Sequence, residues 1–578
     1  MLVLVSGALA LLAASAGAQQ PPMLGDAVPV QQNPLGGNEV RAPIVAREEP
    51  AQLASPPAVC GPGSRPAPGL QGRVPANADP RGYECNLSVL GREGKTGGFK
   101  VERFVDKAGH ECAYYDTTLL FPGNAASATL SGQPTGTAVL DLSDPTHPRR
   151  TATLVTPAMQ TPHESLLVNP KRGLLAAVMG NPAFNPGFID IYDLNADCRQ
   201  PQLMSSSPVG ILGHESGFAP DGKTFYATSI STGDITAVDV SNPRLPLILG
   251  RYRYPSHGLT ISDDGNRGYI AGSDGLQVID TSEVQARKPS PQVRDISGLT
   301  WKNRTIPQVA IPVTIGGKPF LVEIDEYSDG PNAVIVASNG PKVGAGRIID
   351  ISNERAPKVV SNFRLAVHQE ENRAAIANDP GASFAPQGYA GHYCSVPSQV
   401  DPGIVACSFI VSGLRVFDIR DPYAPKELSY FVAPPTELGN STPGEKSNYA
   451  MSKPAFDVGK GEIWYSDGNS GFYALKSAKG VWPFETSKSA VGLPTARRCA
   501  SRRSFPIRLR APKGQRLLRA NVFVSGKRVR VLKGRRLTAQ VNLVGLPKGA
   551  VKVSVIARTT KGKLVRETRT YRTCTKRS

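Results

Sequence analysis

One local grammar recurs along this chain and limits what it can fold into: an alternating strand runs into an Asp, and proline follows that Asp at plus four and plus seven. The full copies are Gly136-Thr-Ala-Val-Leu-Asp141-Leu-Ser-Asp-Pro145-Thr-His-Pro148, Asp234-Ile-Thr-Ala-Val-Asp239-Val-Ser-Asn-Pro243-Arg-Leu-Pro246 and Gly413-Leu-Arg-Val-Phe-Asp418-Ile-Arg-Asp-Pro422-Tyr-Ala-Pro425. Looser copies place the Asp at Asp193, Asp280 and Asp350, and a seventh, Gly471-Phe-Tyr-Ala-Leu, has Lys476 in the Asp slot. Proline lacks an N–H and is tolerated at turns and strand starts, while a short Asp or Asn side chain closes the turn on nearby backbone N–H groups. Each copy therefore encodes a strand, a turn and the next strand.

The anchors are 52, 46, 41, 70, 68 and 58 residues apart, which suits a repeat of about 40 to 50 residues holding four strands. Asp-Gly between apolar runs, as at Asp221-Gly222 and Asp264-Gly265, marks the hairpin in the preceding half of the unit. A four-stranded sheet cannot bury both faces alone, so the units must stack and close. The expected fold is all-β, a seven-bladed propeller over residues 81–490, with an open solenoid or a row of sandwiches as the alternative. Gly (58) and Pro (51) make about a fifth of the chain, in keeping with short strands and many turns. Phe99–Val105 and Cys112–Asp116 are expected to complete the last blade, joining the start of the chain to its end. Insertions at 283–320 and 366–390 are expected as long loops over a channel mouth.

The strings Thr137-Ala-Val-Leu-Asp, Leu276-Gln-Val-Ile-Asp, Ile348-Ile-Asp and Leu414-Arg-Val-Phe-Asp resemble the LVIVD family over roughly residues 110–480. That resemblance implies a secreted bacterial-type β-propeller and leaves function open.

Residues 1–18, apolar and ending in Ala16-Gly-Ala18, read as a signal peptide for secretion or the cell surface. Residues 19–80, rich in Gln, Pro, Ala and Gly, read as a flexible leader. Eight cysteines in an exported chain point to disulfides. Cys394 and Cys407 flank one hairpin, and Cys499 and Cys574 bracket the C-terminal module. Sequence leaves the pairing of Cys60, Cys85, Cys112 and Cys198 open. No C-x-x-C occurs, which disfavours zinc knuckles and thioredoxin-type chemistry.

Residues 497–578 hold 25 Lys and Arg against the single acid Glu567, while the rest of the chain is slightly acidic. Alternating runs such as Val551-Lys-Val-Ser-Val-Ile-Ala resemble an immunoglobulin- or fibronectin-like module, which implies a small C-terminal β-sandwich. Its charge suits anionic cell-wall polymers or acidic polysaccharide. Nucleic acid is disfavoured, since no recognition helix, zinc spacing or stacking motif accompanies the charge. The expected state is a monomer.

Four of the seven histidines lie at a related repeat position. His214 and His257 precede their hairpin glycine by eight residues, His163 by ten and His392 by eleven, so each opens the innermost strand of a different blade. Glu164 and Glu215 directly follow His163 and His214, and the acids Glu323, Asp325 and Glu326 sit in the corresponding part of a fifth unit. Imidazoles converging with a carboxylate such as Glu326 form a donor set for a copper or zinc ion. The pattern resembles the histidine-lined channel of the selenium-binding protein and methanethiol oxidase propellers, which implies copper. Channel histidines bonded to one another and to water are the structural alternative. No G-x-S-x-G elbow or H-E-x-x-H motif is present. The leading expectation is a cell-surface binding or scaffolding propeller without catalysis, taking a small ligand or metal in its channel. The alternative is a metal-dependent, copper-type oxidoreductase.

Overall fold

In a computed structural model the described residues are 30–31, 41–118, 132, 134–180, 187–208, 213–229, 233–272, 274–327, 343–383, 388–437, 446–485, 504–509, 511, 515–533, 538–543, 549–560 and 562–573. The signal peptide, Cys499 and Cys574 lie outside them.

Seven four-stranded antiparallel blades follow in chain order. Blade 1 is Val101–Val105, Glu111–Asp116, Thr137–Asp141 and Arg149–Leu154, and blade 2 is Leu167–Asn169, Leu174–Val178, Phe188–Asp193 and Gln202–Pro208. Blade 3 comprises Gly217–Phe218, Thr224–Ser229, Asp234–Asp239 and Leu247–Arg253; blade 4 comprises Gly258–Ile261, Arg267–Gly272, Gly275–Asp280 and Arg294–Thr300. Blade 5 is Ile306–Ile315, Lys318–Glu326, Gly346–Asp350 and Lys358–Phe363, and blade 6 is Gly391–Ser395, Ile404–Phe409, Gly413–Asp418 and Lys426–Val432. Blade 7 takes Ala455–Asp457, Glu462–Asp467 and Gly471–Ser477 from the end of the repeats and its outer strand, Leu87–Glu93, from before blade 1.

That last pairing closes the ring and corrects one expectation. Phe99–Val105 and Cys112–Asp116 are not the closing segment but the first two strands of blade 1. The closing strand escaped the periodicity because, as an outer edge, it buries only Leu87 and Gly91 fully.

The repeat Asp ends the third strand of its blade. Asp141, Asp193, Asp239, Asp280, Asp350 and Asp418 each accept a hydrogen bond from the backbone N–H two residues on, at 2.7–3.0 Å. In all seven blades a bulge interrupts the pairing of third and fourth strands, adding the local twist a blade needs. The hairpin glycines Gly222 and Gly265 have φ of 72° and 82°, a conformation that suits glycine.

The hydrophobic core lies between the blades, one cluster per interface. Blades 1 and 2 meet through Tyr114 and Leu175, blades 2 and 3 through Ile191 and Phe225, and blades 3 and 4 through Tyr226 and Ile270. Trp301 sits between blades 4 and 5, Phe363 and Phe417 between 5 and 6, Trp482 between 6 and 7, and Trp464 between 7 and 1. Seven such seams around one ring exclude the solenoid.

Residues 41–80, expected to be a flexible leader, instead follow the outer rim. Ile44–Ala46 pairs with the outer strand of blade 4, and Tyr83–Cys85 with that of blade 6. Such additions cover edges that would otherwise expose unpaired backbone groups. Residues 283–320 are likewise mostly strand, Arg294–Thr300 and the ten-residue Ile306–Ile315, rather than a roofing loop. Residues 366–383 form short helical turns, with Asp379 paired to Arg73 of the leader.

Among the described residues three disulfides are present: Cys60–Cys85, Cys112–Cys198 and Cys394–Cys407. The last joins directly opposed residues of the first hairpin of blade 6. Among the described residues no helix is long and apolar enough to cross a membrane. The C-terminal module is a small β-sandwich. A five-stranded sheet (Phe484–Glu485, Leu564–Thr573, Gly549–Thr559, Leu517–Val524, Lys527–Lys533) packs on the pair Ser504–Arg508 and Thr538–Asn542. Ile507, Val522, Val541, Val553 and Val565 fill the space between the sheets. The sandwich docks on blade 6 through Arg420 to the Gly562 carbonyl and Asn521 to Asp401, both at 2.9 Å.

Candidate functional site: a histidine–carboxylate ring in the channel

Because the inner strand of each blade starts at the same end of the channel, the residues just before it form a ring. Blade 1 contributes Phe99, blade 2 His163, blade 3 His214, blade 4 His257 and blade 6 His392. Neighbouring rings are 5.4 Å apart for Phe99–His163, 4.6 Å for His163–His214, 4.4 Å for His214–His257 and 5.4 Å for Phe99–His392. Blade 5 supplies Glu326 from the end of its second strand, where Glu326 is paired in parallel with Gly391 beside His392. All five residues anticipated from sequence thus stand at one end of the channel.

Glu164, noted in sequence only as a neighbour of His163, is the central bridge. Its carboxylate lies 3.2 Å from His214 Nδ1 and 3.2 Å from His392 Nε2. His392 Nε2 is also 3.1 Å from Glu326, whose other oxygen is 3.2 Å from His257 Nε2. The result is an alternating chain, His214–Glu164–His392–Glu326–His257, drawn from five blades. His163 stands beside it, with a ligand atom within 4.8 Å of those of Glu164 and His214.

Backbone carbonyls orient the imidazoles. Nδ1 of His257 faces the Pro307 carbonyl at 3.0 Å, that of His392 faces Met451 at 2.7 Å, and that of His163 faces Gly180 at 3.3 Å. A carbonyl can only accept, so each Nδ1 carries the proton, and Nε2 of His257 and His392 is directed at the carboxylates. His214 differs, its Nδ1 lying 3.1 Å from the His257 carbonyl as well as near Glu164.

Electrostatics divides the ring. Burial holds His163 and His214 below the ordinary histidine range, so both are neutral near pH 7. Burial works against His392 too, but its bonds to Glu164 and Glu326 outweigh it and push the pKa up to about 10. Glu164 moves the other way: burial alone would raise it, yet the surrounding imidazoles hold it well below the usual carboxylate range. The backbone is strained at the same place. His163 and Glu164 have φ of 38° and 71°, two consecutive left-handed non-glycine residues. Opposite them, a Cβ on Gly180 would stand 2.1 Å from that of His163.

A second polar layer lies behind the first. Lys100, fully buried, pairs with Glu215, and the Tyr393 hydroxyl donates to Glu215 and, at 3.0 Å, to Glu164. Gln308 donates to Glu164 at 2.6 Å. Sequence reasoning missed Phe99, Lys100, Gln308 and Tyr393 because it followed histidine. The signal was nevertheless there: Phe99 stands ten residues before Gly109 and Met451 ten before Gly461, the spacing of His163 before Gly173. Glu323 and Asp325, three and one residues before Glu326, are instead consumed by Arg347, which bonds both carboxylates. His110 and His147 lie outside the ring, bonded to Asp106 and Asp144, and the buried His368 bonds the Tyr389 carbonyl.

As a metal site, the donors that converge are His163, Glu164 and His214, whose ligand atoms all lie within 4.8 Å of one another. Ligands about 2.0–2.2 Å from a shared ion lie roughly 3–3.5 Å from one another, and His392 Nε2 stands 3.2 Å from the same Glu164 carboxylate. Carbonyl-anchored Nδ1–H groups opposite outward Nε2 atoms are the usual support for ligating histidines.

No family model matches the chain, and no curated protein matches it. Among solved structures the chain is similar to a periplasmic gluconolactonase of Pseudomonas aeruginosa, with 14% identity over 71% of this chain and 95% of that one, at a TM-score of 0.39. The β-propeller domain of Cps50 (Swd1) from Myceliophthora thermophila gives 12% identity over 67% and 98%, at 0.37. U3-55K gives 11% over 67% and 97%, at 0.39. The protein is a β-propeller with a C-terminal sandwich.

Proposed function

We propose that this is an exported metal-binding propeller whose channel holds one copper or zinc ion through His163, Glu164 and His214, with His392, Glu326 and His257 adjoining. The observation that carries this reading is the close approach of the ligand atoms of those three residues, at one end of an alternating imidazole–carboxylate chain in a buried channel. Isolated buried carboxylates and imidazoles are costly, and a shared cation offsets that cost. Bound copper would supply one-electron chemistry, which places a metal-dependent oxidoreductase ahead of a purely structural channel. The protein's own groups would fix the ligand geometry and keep water out. Metal analysis after loading with Cu(II) or Zn(II) and exhaustive dialysis tests this. About one equivalent should remain on the wild type and far less on His163→Ala and His214→Ala; wild-type protein that retains no ion overturns the reading.

A second role is favoured by the sandwich. Its edge strand Lys527–Lys533 carries four cations and is almost entirely exposed, so it suits attachment to anionic cell-wall polymers or acidic polysaccharide. Replacing Lys527, Arg528, Arg530 and Lys533 with Glu should release the protein from such polymers at moderate salt; unchanged retention would exclude attachment through this strand. Export is supported by the three disulfides and the apolar N-terminus. The likeness to LVIVD repeats and to immunoglobulin-like modules rests on the sequence strings alone.

A further inference from the structure

Beyond the polar layers the channel opens into a cavity of roughly 370 Å3, walled by the inner strands of blades 2 to 6 and by Lys453, just before blade 7. Its sides are apolar, with Leu167, Leu259, Val309 and Ile311 among them, and Glu215 and Tyr393 stand between it and the histidine ring. Most of the polar groups on the walls are biased in one direction, Ser395 and the Gln399 amide being able to donate as well as accept. The hydroxyls of Ser216, Thr260 and Ser398 donate to the carbonyls of His214, Ala310 and Val400. Their hydrogens are committed, so what they can offer an occupant is oxygen lone pairs. Glu215 adds a carboxylate, also an acceptor. The two nearby ammonium groups are taken, Lys100 by Glu215 and Lys453 by Glu102.

From this we infer that the cavity is a binding site for a small uncharged molecule with an apolar body and a hydroxyl group, of the alcohol or phenol class, whose O–H donates to the acceptor-rich walls. An anion would meet acceptors and no free cation, and would lose its hydration without replacement. An ether of the same shape would leave the wall acceptors unpaired. The size is that of pockets that enclose small organic ligands. The site requires only the walls and so stands apart from the metal reading.

The test is calorimetric titration of metal-free, full-length protein with three probes of one shape: benzyl alcohol, benzyl methyl ether and benzoate. Benzyl alcohol should bind about tenfold or more tightly than either of the others, the discrimination that a site built to pair a hydroxyl achieves. Val309→Trp, which fills the cavity, should abolish binding. The milder Ser395→Leu, also on the wall, should weaken it in a protein whose metal content after loading is unchanged. Ether or benzoate binding as well as the alcohol, no binding of benzyl alcohol to the wild type, or equal binding by both variants would each overturn the inference. Loss of metal retention alone would not touch it.

Discussion

Arg347 offers the sharpest test of how the end of the channel is held. It is fully buried on the third strand of blade 5, directly opposite Glu323, and bonds both Glu323 and, at 2.9 Å, Asp325. Its guanidinium lies 4.2 Å from the centre of the Trp301 ring, whose Nε1 donates to Asp325 at 3.0 Å. Arg347→Met keeps much of the volume and strands two carboxylates. Breaking a buried pair in this way costs about 3–5 kcal/mol. The lower end applies, because neighbouring Arg364, which burial and Arg347 together push down to about 10, is relieved of a repulsion. A further Glu323→Gln change should recover at least half the loss, since Asp325 still accepts from Trp301 and from the Thr305 N–H at 3.3 Å.

The pH dependence has a definite sign. Burial raises Glu323 well above the usual carboxylate range, against the pull of Arg347. A carboxyl raised in the folded state takes up protons on folding, so its unfavourable contribution grows as pH rises above its unfolded value. Removing Arg347 enlarges that effect. The deficit of Arg347→Met should therefore shrink between about pH 8 and about pH 5. Urea titration of the propeller transition, followed by tryptophan fluorescence at both pH values, measures it. A single variant within about 1 kcal/mol of wild type, or a deficit that grows on acidification, would refute the reasoning.

Three further outcomes are expected. His392, raised to about 10, contributes stability below its unfolded value near 6.5 that is lost as pH rises through 10; the melting temperature of metal-free wild type should fall over that window, and that of His392→Gln should be nearly flat. Gly258→Ala would place a Cβ 2.1 Å from the Gln308 carbonyl oxygen and 2.9 Å from Glu215; a loss of about 1–3 kcal/mol, with weakened metal retention through His257, should appear in denaturation and metal analysis. Replacing Cys394 and Cys407 with Ser opens a loop spanning 13 residues and should cost about 3 kcal/mol in urea titrations.

Sequence was most informative where the repeat carries its own chemistry. The Asp that ends each third strand is a local turn device, and local devices leave their mark at fixed offsets; six of the seven anchors could be placed from them. The histidines were legible for the same reason, since a propeller converts equal repeat position into spatial proximity. What was lost is what the ring decides. Leu87–Glu93 closes blade 7 while burying little of itself, so no alternation betrayed it. Glu164 is a bridge only because blade 6 brings His392 across the channel to it. Lys100 and Tyr393 directly follow the ring positions Phe99 and His392, and Glu323 and Asp325 looked like channel acids until Arg347, on the next strand, accounted for both.

The supporting hydrogen bonds add a constraint that the residue types alone do not convey. His214 is oriented by the carbonyl of His257 in the next blade, His257 by Pro307 in the next, and His392 by Met451 in blade 7. Three of the four imidazoles are thus aimed by a neighbouring blade's backbone, so their geometry depends on the precision with which adjacent blades are registered; His163 is instead aimed by Gly180 of its own blade. Backbone strain sits there too, at His163 and Glu164, against Gly180. Side chains held in this way cannot relax independently to separate partners. The closing strand from the start of the chain, by fixing blade 7 and so the Met451 carbonyl behind His392, is part of what keeps the ring pointed inward.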